Sequence, residues 1–152
     1  MKQPIAHSLQ LKLIVWFGRL HSAILKLSRG KVGSKLAGLD MMLLTTTGRL
    51  TGLPHHNPLL YTEQNKTYYC AASFGGSQNN PDWVKNIGEN PQVNIMLEGR
   101  TFPAVGIILS GTERESAWDN LIRYYPPFQK YQTRTRRIIP IIKFVKSDTT
   151  IG

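Results

Sequence analysis

One cysteine, nine acidic residues and four histidines among 152 residues leave little material for the commoner kinds of protein-borne catalysis. A lone Cys70 excludes an internal disulfide and any cysteine-rich metal site. It lies in the apolar run Tyr68-Tyr69-Cys70-Ala71-Ala72 and reads as a buried strand residue rather than a nucleophile. A single cysteine is compatible with a reducing cytoplasm. His55 and His56 are adjacent, so a strand sends them to opposite faces, a poor arrangement for sharing a metal. No Asp, Glu or His grouping has metal-ligand spacing, and no nucleophile elbow is present. The carboxylates, Asp82 and Glu113 among them, fall mostly at helix starts and turns, where capping and solvation account for them. Long apolar runs are missing too. The longest in the N-terminal segment, Leu13 to Phe17, is far short of the ~20 residues of a bilayer span. It also falls below the ~7–15 residues of a signal-peptide core. These absences point to chemistry carried by a cofactor, with the protein supplying position and electrostatics.

What the chain has is positive charge, a formal +10, unevenly placed. Residues 1–39 hold Lys2, Lys12, Arg19, Lys26, Arg29, Lys31 and Lys35 and no acid. Residues 120–147 hold seven more basic residues, Arg134, Arg136 and Arg137 among them, again with no acid. The middle is close to balanced. Such clusters suit an anionic partner: a membrane surface, a nucleic acid or a polyanionic cofactor. The basic segments lack a recognisable nucleic-acid reading motif, so nucleic acid is the weakest of these.

Length allows one domain with a real core. Residues 8–29 read as an amphipathic helix, with Leu9, Leu13, Trp16, Phe17, Leu20, Ile24 and Leu27 at helical spacing and Lys12, Arg19 and Lys26 mostly opposite. It either packs on the domain's own core or lies in a membrane interface. Residues 30–40 form a basic, glycine-rich connector. Residues 41–147 carry the main domain and 148–152 a tail. Strands are expected over Met41–Thr46, Pro58–Thr62, Thr67–Ser73, Val93–Leu97, Thr101–Leu109 and Ile138–Val145. Tight turns are expected at 63–66 and 98–100, with glycine at 99 for a positive φ. Pro103 and Pro140 suggest edge positions or bulges. Short helices are expected from Pro81 and from a capping box at Thr112-Glu113-Arg114-Glu115, the latter ending near Tyr125-Pro126-Pro127. The pattern lacks regular strand–helix alternation and suits an antiparallel barrel with helical insertions.

Three segments offer a site. Thr45 to Asn57 is a hydroxyl-rich, glycine-punctuated turn between strands, carrying Thr47, Gly48, Arg49 and His55, which suits an anion such as phosphate. Ala71 to Trp83 ends a strand in small residues, and its exposed N–H groups and following helix start suit an anion or a ring oxygen. Tyr124 to Pro140 spaces aromatics at 125, 128 and 131, which either wall a pocket or pack into the core.

The same residues carry a resemblance. Leu-Leu-Thr-Thr-Thr-Gly-Arg at 43–49, the Gly-Leu-Pro and Asn-Pro-Leu that follow, Ala-Ser-x-Gly-Gly at 72–76, Asn-Pro-x-Trp at 80–83, Asn-Pro-x-Val at 90–93, Tyr-Pro-x-Phe-x-x-Tyr-Gln at 125–132 and an Arg-x-Ile-Pro-like run at 137–140 occur in order. From about Gly30 to Val145 the chain resembles the deazaflavin-dependent nitroreductase family. The resemblance implies a mainly β (α+β) fold, a split β-barrel of the pyridoxamine-phosphate-oxidase or FMN-binding type with short helices. It implies the deazaflavin coenzyme F-420, with its phosphate and oligoglutamate tail, and hydride transfer to a quinone or nitroaromatic. By position, Thr47, Gly48, Arg49, His55 and Asn57 fall to the phosphate side, and Ala72, Ser73, Phe74, Gly75, Gly76 and Trp83 to the deazaflavin ring. Tyr125, Phe128 and Tyr131 border the substrate, with Tyr131, and Tyr125 beside it, as candidate catalytic residues. The chain departs from the family pattern at Leu50, His55 and Phe74, where cations are usual, and at Phe128, where tyrosine is. Lys31, Lys35, Arg134 and Arg136 are the nearby cations available to compensate, and FMN is the alternative cofactor. An FMN-dependent reductase or a non-enzymatic lipid carrier are the alternative functions. A small-molecule redox substrate, peripheral contact with the inner face of the cell membrane and a homodimer complete the expectations.

Overall fold

The computed structural model describes residues 5–28, 35–36 and 38–148, with side chains from residue 9 onward. Most of the expected connector, including Lys31, and the end of the tail lie outside these residues. Helix α1 (Ile5–Leu27) leads into strands β1 (Lys35–Leu36), β2 (Leu39–Thr47), β3 (Pro54–Leu60), β4 (Thr62–Gln64) and β5 (Thr67–Ala71). A 3-10 turn (Phe74–Gly76), helix α2 (Asp82–Glu89), strands β6 (Gln92–Leu97) and β7 (Arg100–Ile108), helices α3 (Gly111–Tyr124) and α4 (Pro127–Thr133) and strand β8 (Ile141–Lys146) complete the order.

The eight strands form one antiparallel sheet, ordered β1-β2-β6-β7-β8-β5-β4, with β3 also paired to β2. Covalent geometry curls it into a barrel. Strands β3 and β4 lie at opposite ends of the pairing order, yet only Tyr61 separates them in sequence, so the two ends must meet. Period-two alternation sends Met42 and Leu44 inward from β2, Val93 and Ile95 from β6, and Ile142 and Phe144 from β8. Cys70, Ala72 and the α2 residues Trp83, Val84 and Ile87 join this core. Burying a side chain the size of Phe144 is worth roughly 1.5–3 kcal/mol. Cys70 is buried as expected, and burial raises its thiol pKa, which keeps it inert. A second core covers the outer face: Leu121 and Ala117 of α3 and Phe128 of α4 pack on Ala71, Ile139 and Ile141.

The turns follow local chemistry. Asn65 and Lys66 both take positive φ between β4 and β5, as do Glu98 and Gly99 between β6 and β7, the two-residue pattern that matches strand twist. Several expectations need correction. The strand expected at 58–62 is two strands broken at Tyr61, and its first half starts at Pro54. Residues 35–40, expected as connector, pair as a hairpin about Gly38. Strand β8 starts at Ile141 rather than Ile138. Pro103 sits inside a central strand opposite Asn94. It is tolerated because the β7–β8 ladder ends there: its carbonyl accepts from Ser147 N–H, and only the return bond is missing. The capping box does not form. Ser110 is the N-cap, while Glu113 pairs with Lys143 and Glu115 with Arg114. Helix α4 was unexpected, since Pro126-Pro127 reads as a stop but here opens a new first turn.

Helix α1 spans 5–27, near the expected 8–29. It buries His21 and Leu25 against the barrel, while Leu9, Trp16, Phe17 and Leu27 are exposed, Trp16 at 63% and Leu27 at 86%. No helix among the described residues is long and apolar enough to cross a membrane.

Candidate active site

Arg137 is the organising residue. Its Nε donates to Ser77 O at 2.7 Å, Nη1 to Asn80 Oδ1 at 2.8 Å, and Nη2 to Ser73 O at 2.8 Å and Ala72 O at 3.2 Å. Burial lowers the guanidinium pKa from its ordinary value, but the group keeps its charge because these four acceptors replace water. A second strap runs through Gln78, whose Oε1 accepts from Thr135 Oγ1 and Arg136 N–H while its Nε2 donates to Arg134 O. Gln132 in turn ties Arg137 O and Ile139 N–H. The Ala72–Asn80 loop is thus fastened to the 132–139 segment, which brings the second and third candidate segments together.

Inside that frame Phe74, Gly75 and Gly76 take φ of +44°, +62° and +82°. Left-handed backbone is strained for phenylalanine and free for glycine. A Cβ at Gly76 would stand 2.7 Å from Tyr131 O, and one at Gly75 2.9 Å from Ile14 Cδ1 of α1. The glycine pair therefore lets α4 and α1 close on this turn. Ala72 is buried, and Ser73 and Phe74 are half-buried beside it. Tyr125, Phe128 and Tyr131 form a ring cluster with centroids 5.0–6.4 Å apart. Phe128 is buried in the outer core, while Tyr125 and Tyr131 keep partial exposure and face one another across 3.4 Å between hydroxyls. That hydrogen bond, with burial, pushes the Tyr125 pKa up to about 12. Arg134 stacks over the Tyr131 ring at 5.5 Å.

The 47–54 turn is braced rather than loose. Gly48 N–H donates to Leu53 O and Gly52 N–H to Gly48 O, both at 2.7 Å. Arg49 donates to Asn86 Oδ1 through both its backbone N–H (3.1 Å) and Nη1 (3.2 Å), and its Nη2 lies 3.2 Å from Asp82 Oδ1. Asn86 is buried and also donates to Thr46 Oγ1. The turn is therefore bolted to α2, whose first turn already carries the Asp82 carboxylate. Gly48 is small because the His55 ring folds over it: a Cβ there would meet His55 Nε2 at 2.6 Å. Thr47 and His55 are exposed, Asn57 half-buried, and Leu50, 85% exposed, projects into solvent. Trp83 lies in the barrel core with Val84 and Ile87. His56 faces the other way from His55, as alternation requires. Its Nδ1 meets Thr45 Oγ1 at 2.9 Å and its Nε2 meets Lys26 Nζ of α1 at 3.5 Å. Burial first, then Lys26 and His55, lower its pKa.

The residues present fit a flat, phosphorylated cofactor. The half-exposed Tyr125 and Tyr131 hydroxyls border the frame, and hydroxyl, imidazole and guanidinium donors stand on the braced turn, while the room left by Gly75 and Gly76 is taken by Ile14 and the Tyr131 carbonyl. Among the described residues no cluster suits a metal ion. Arg137, Gln78 and Asn86 carry most of the loop geometry. In the sequence Arg137 stands out only as one of the basic residues of 120–147 and as the start of the 137–140 run, and Gln78 and Asn86 carry no signal of their own.

The fold is a split barrel, the architecture shared with a solved structure described as a putative pyridoxamine 5'-phosphate oxidase from Listeria innocua, 14% identical with a TM-score of 0.51. The profile of the family described as F420H(2)-dependent quinone reductase matches residues 16–146. A relative named F420H(2)-dependent quinone reductase, from Mycobacterium tuberculosis, is 32% identical over 132 residues, covering 82% of this chain and 86% of its own. A solved F420-H2 dependent reductase, FDR-A, is 36% identical with a TM-score of 0.65, covering 69% of this chain and 93% of that one. Another solved relative, described as a domain-swapped dimer, is 31% identical with a TM-score of 0.68, covering 87% and 98%. The chain belongs to the F420H(2)-dependent quinone reductase family.

Proposed function

We propose that this protein reduces a quinone to the quinol with the reduced deazaflavin coenzyme F-420. The observation that carries the reading is the family match over 16–146 falling on a chain whose glycine turn and tyrosine wall are strapped into one frame. When bound, the coenzyme supplies the hydride. Ala72, Ser73, Phe74, Gly75 and Gly76 hold its ring, with Trp83 supporting them from the barrel core. Thr47, Gly48, Arg49, His55 and Asn57 hold its phosphate side. Quinone reduction consumes one hydride and one proton per two-electron step. Tyr131 supplies the proton at its hydroxyl, and Tyr125, protonated across the working pH range, orients that hydroxyl and replenishes it. Residues 41–147 act as the cofactor-binding domain.

The exposed apolar side of α1, flanked by Lys12, Arg19 and Lys26, supports peripheral contact with the anionic inner face of the cell membrane by a cytoplasmic enzyme. The relative described as a domain-swapped dimer supports a homodimer. Stopped-flow mixing of reduced coenzyme, protein and a soluble quinone tests the main reading: coenzyme oxidation must depend on both protein and quinone. Co-sedimentation with anionic vesicles, lost in Lys12→Glu/Arg19→Glu, tests the membrane contact, and light scattering tests the dimer.

A further inference from the structure

We propose that Asp82 is a specificity-determining residue for the coenzyme: its carboxylate beside Arg49 lets the braced turn take a phosphodiester, with one negative charge, and disfavours a phosphomonoester, with two. The inference rests on the reading of the 47–57 turn as the phosphate side and deepens it by giving a physical basis for choosing deazaflavin over FMN. Coenzyme F-420 carries its phosphate as a diester. FMN ends in a monoester, which bears about −1.5 to −2 charges near neutral pH. Arg49 is the one arginine or lysine between Thr45 and Asn57. The next position holds Leu50, 85% exposed, and so adds no second cation. The guanidinium is also partly neutralised already, because its Nη2 lies 3.2 Å from Asp82 Oδ1. Lys85 Nζ approaches the same oxygen at 3.8 Å. Two cations and one carboxylate leave a single net positive charge, which a diester balances and a monoester exceeds.

The carboxylate is fixed at that place. Arg49 is held by the same helix that carries Asp82, since its backbone N–H and its Nη1 both donate to Asn86 Oδ1, at 3.1 and 3.2 Å. Helix α2 cannot swing away, because Trp83, Val84 and Ile87 are buried in the barrel core. The aspartate side chain is short. Even turned from Arg49, its charge stays well within the ~10 Å over which charges act at 0.1 M salt. The side chain of Asp82 is 77% exposed and that of Arg49 25%, so the carboxylate stands on the solvent side of the pair. Arg49 still has donors to give. Its Nε–H and one hydrogen on each terminal nitrogen have no acceptor among the described residues. An anion therefore binds Arg49 alongside Asp82 rather than in its place, and the repulsion it meets grows with its charge.

Three flavins that share one ring and differ in phosphate charge supply the test. Riboflavin has no phosphate, the methyl ester of FMN is a phosphodiester, and FMN itself is a monoester. Their dissociation constants for the full chain are measured by equilibrium dialysis at neutral pH and low salt, and that of oxidised coenzyme F-420 is measured beside them. Asp82→Asn removes the charge in a nearly isosteric side chain, and Asp82→Glu keeps it as the control. An exposed charge pair is worth roughly threefold in affinity, so Asp82→Asn should tighten the methyl ester about threefold and FMN about tenfold, with riboflavin unchanged. Raising the salt should shrink both gains. Asp82→Glu should bind all three flavins as the wild type does. Equal gains for the two phosphates would make Asp82 a placeholder that any anion displaces, and would overturn the proposal. So would the absence of a gain for FMN, or a gain for riboflavin as large as that for FMN. Failure of the wild type to bind coenzyme F-420 would sink the coenzyme reading instead, while the three flavins still decide the role of Asp82.

Discussion

Replacing Arg137 by methionine removes the strap but keeps a side chain of similar reach. The wild-type guanidinium makes four bonds, to the carbonyls of Ala72, Ser73 and Ser77 and to Asn80 Oδ1. A hydrogen bond from a charged donor is worth about 1.5–3 kcal/mol, but four from one half-buried group do not add, and the freed acceptors partly regain water. The net loss should be about 2–4 kcal/mol, which for a chain of this size lowers Tm by roughly 6–12 °C. Because the released loop includes the Phe74–Gly76 turn, coenzyme affinity should also fall at least tenfold well below Tm, with far-UV circular dichroism unchanged. Arg137→Lys keeps the charge on a single ammonium that cannot span four acceptors, so it should recover less than half of either effect. Thermal unfolding in the absence of coenzyme and calorimetric titration with it give the two numbers. A methionine variant within 2 °C of wild type that binds coenzyme within twofold would refute the role given to Arg137.

Gly76→Ala should cost about 2–4 kcal/mol, since it places a Cβ at φ +82° and 2.7 Å from the Tyr131 carbonyl, and denaturant titration showing less than 0.5 kcal/mol would contradict this. Tyr131→Phe should lower kcat for quinone by about 100-fold or more with coenzyme affinity unchanged, and Tyr125→Phe should have a smaller effect. A rate for Tyr131→Phe within threefold of wild type would remove tyrosine as the proton source. The folded-state pKa of His56 lies below its unfolded value of 6.5, so the unfolded chain holds more protons between the two. The stability contributed by the Lys26–His56–Thr45 contact is therefore present above pH 6.5 and lost as pH falls from there through the folded pKa. Hydrogen exchange along α1 should accelerate in that window, and His56→Gln should abolish the dependence; an identical profile in the variant would assign it elsewhere.

The sheet was legible because its signals are local. Alternation in β2, the turns at 65–66 and 98–99, and a lone cysteine in an apolar run each mean the same thing wherever the strand pairs. Pro126-Pro127 misled because the residue that ends one helix is also favoured in the first turn of the next, and nothing nearby distinguishes the two. The site residues themselves came from motif order, but what holds them did not. Arg137 bonds residues 57 to 65 positions upstream, and Asn86 bridges 37 and 40 positions back to Arg49 and Thr46. No periodicity or propensity records such contacts. Trp83 and Gly48 show the same limit: one sits in the barrel core, and the other is small to admit the chain's own His55 ring. Helix α1 was readable as amphipathic, yet only the fold shows that it meets the glycine turn.

The central claim is hydride transfer from reduced deazaflavin to quinone, and one anaerobic measurement bears on it most directly. Reduced coenzyme F-420 and a soluble quinone are mixed with and without the protein, and reappearance of the oxidised deazaflavin absorbance is followed. The expected result is oxidation that is protein-dependent, saturable in both reactants, one coenzyme per quinone, and strongly preferred over reduced FMN. No acceleration over the protein-free mixture, or equal turnover with reduced FMN, would contradict it.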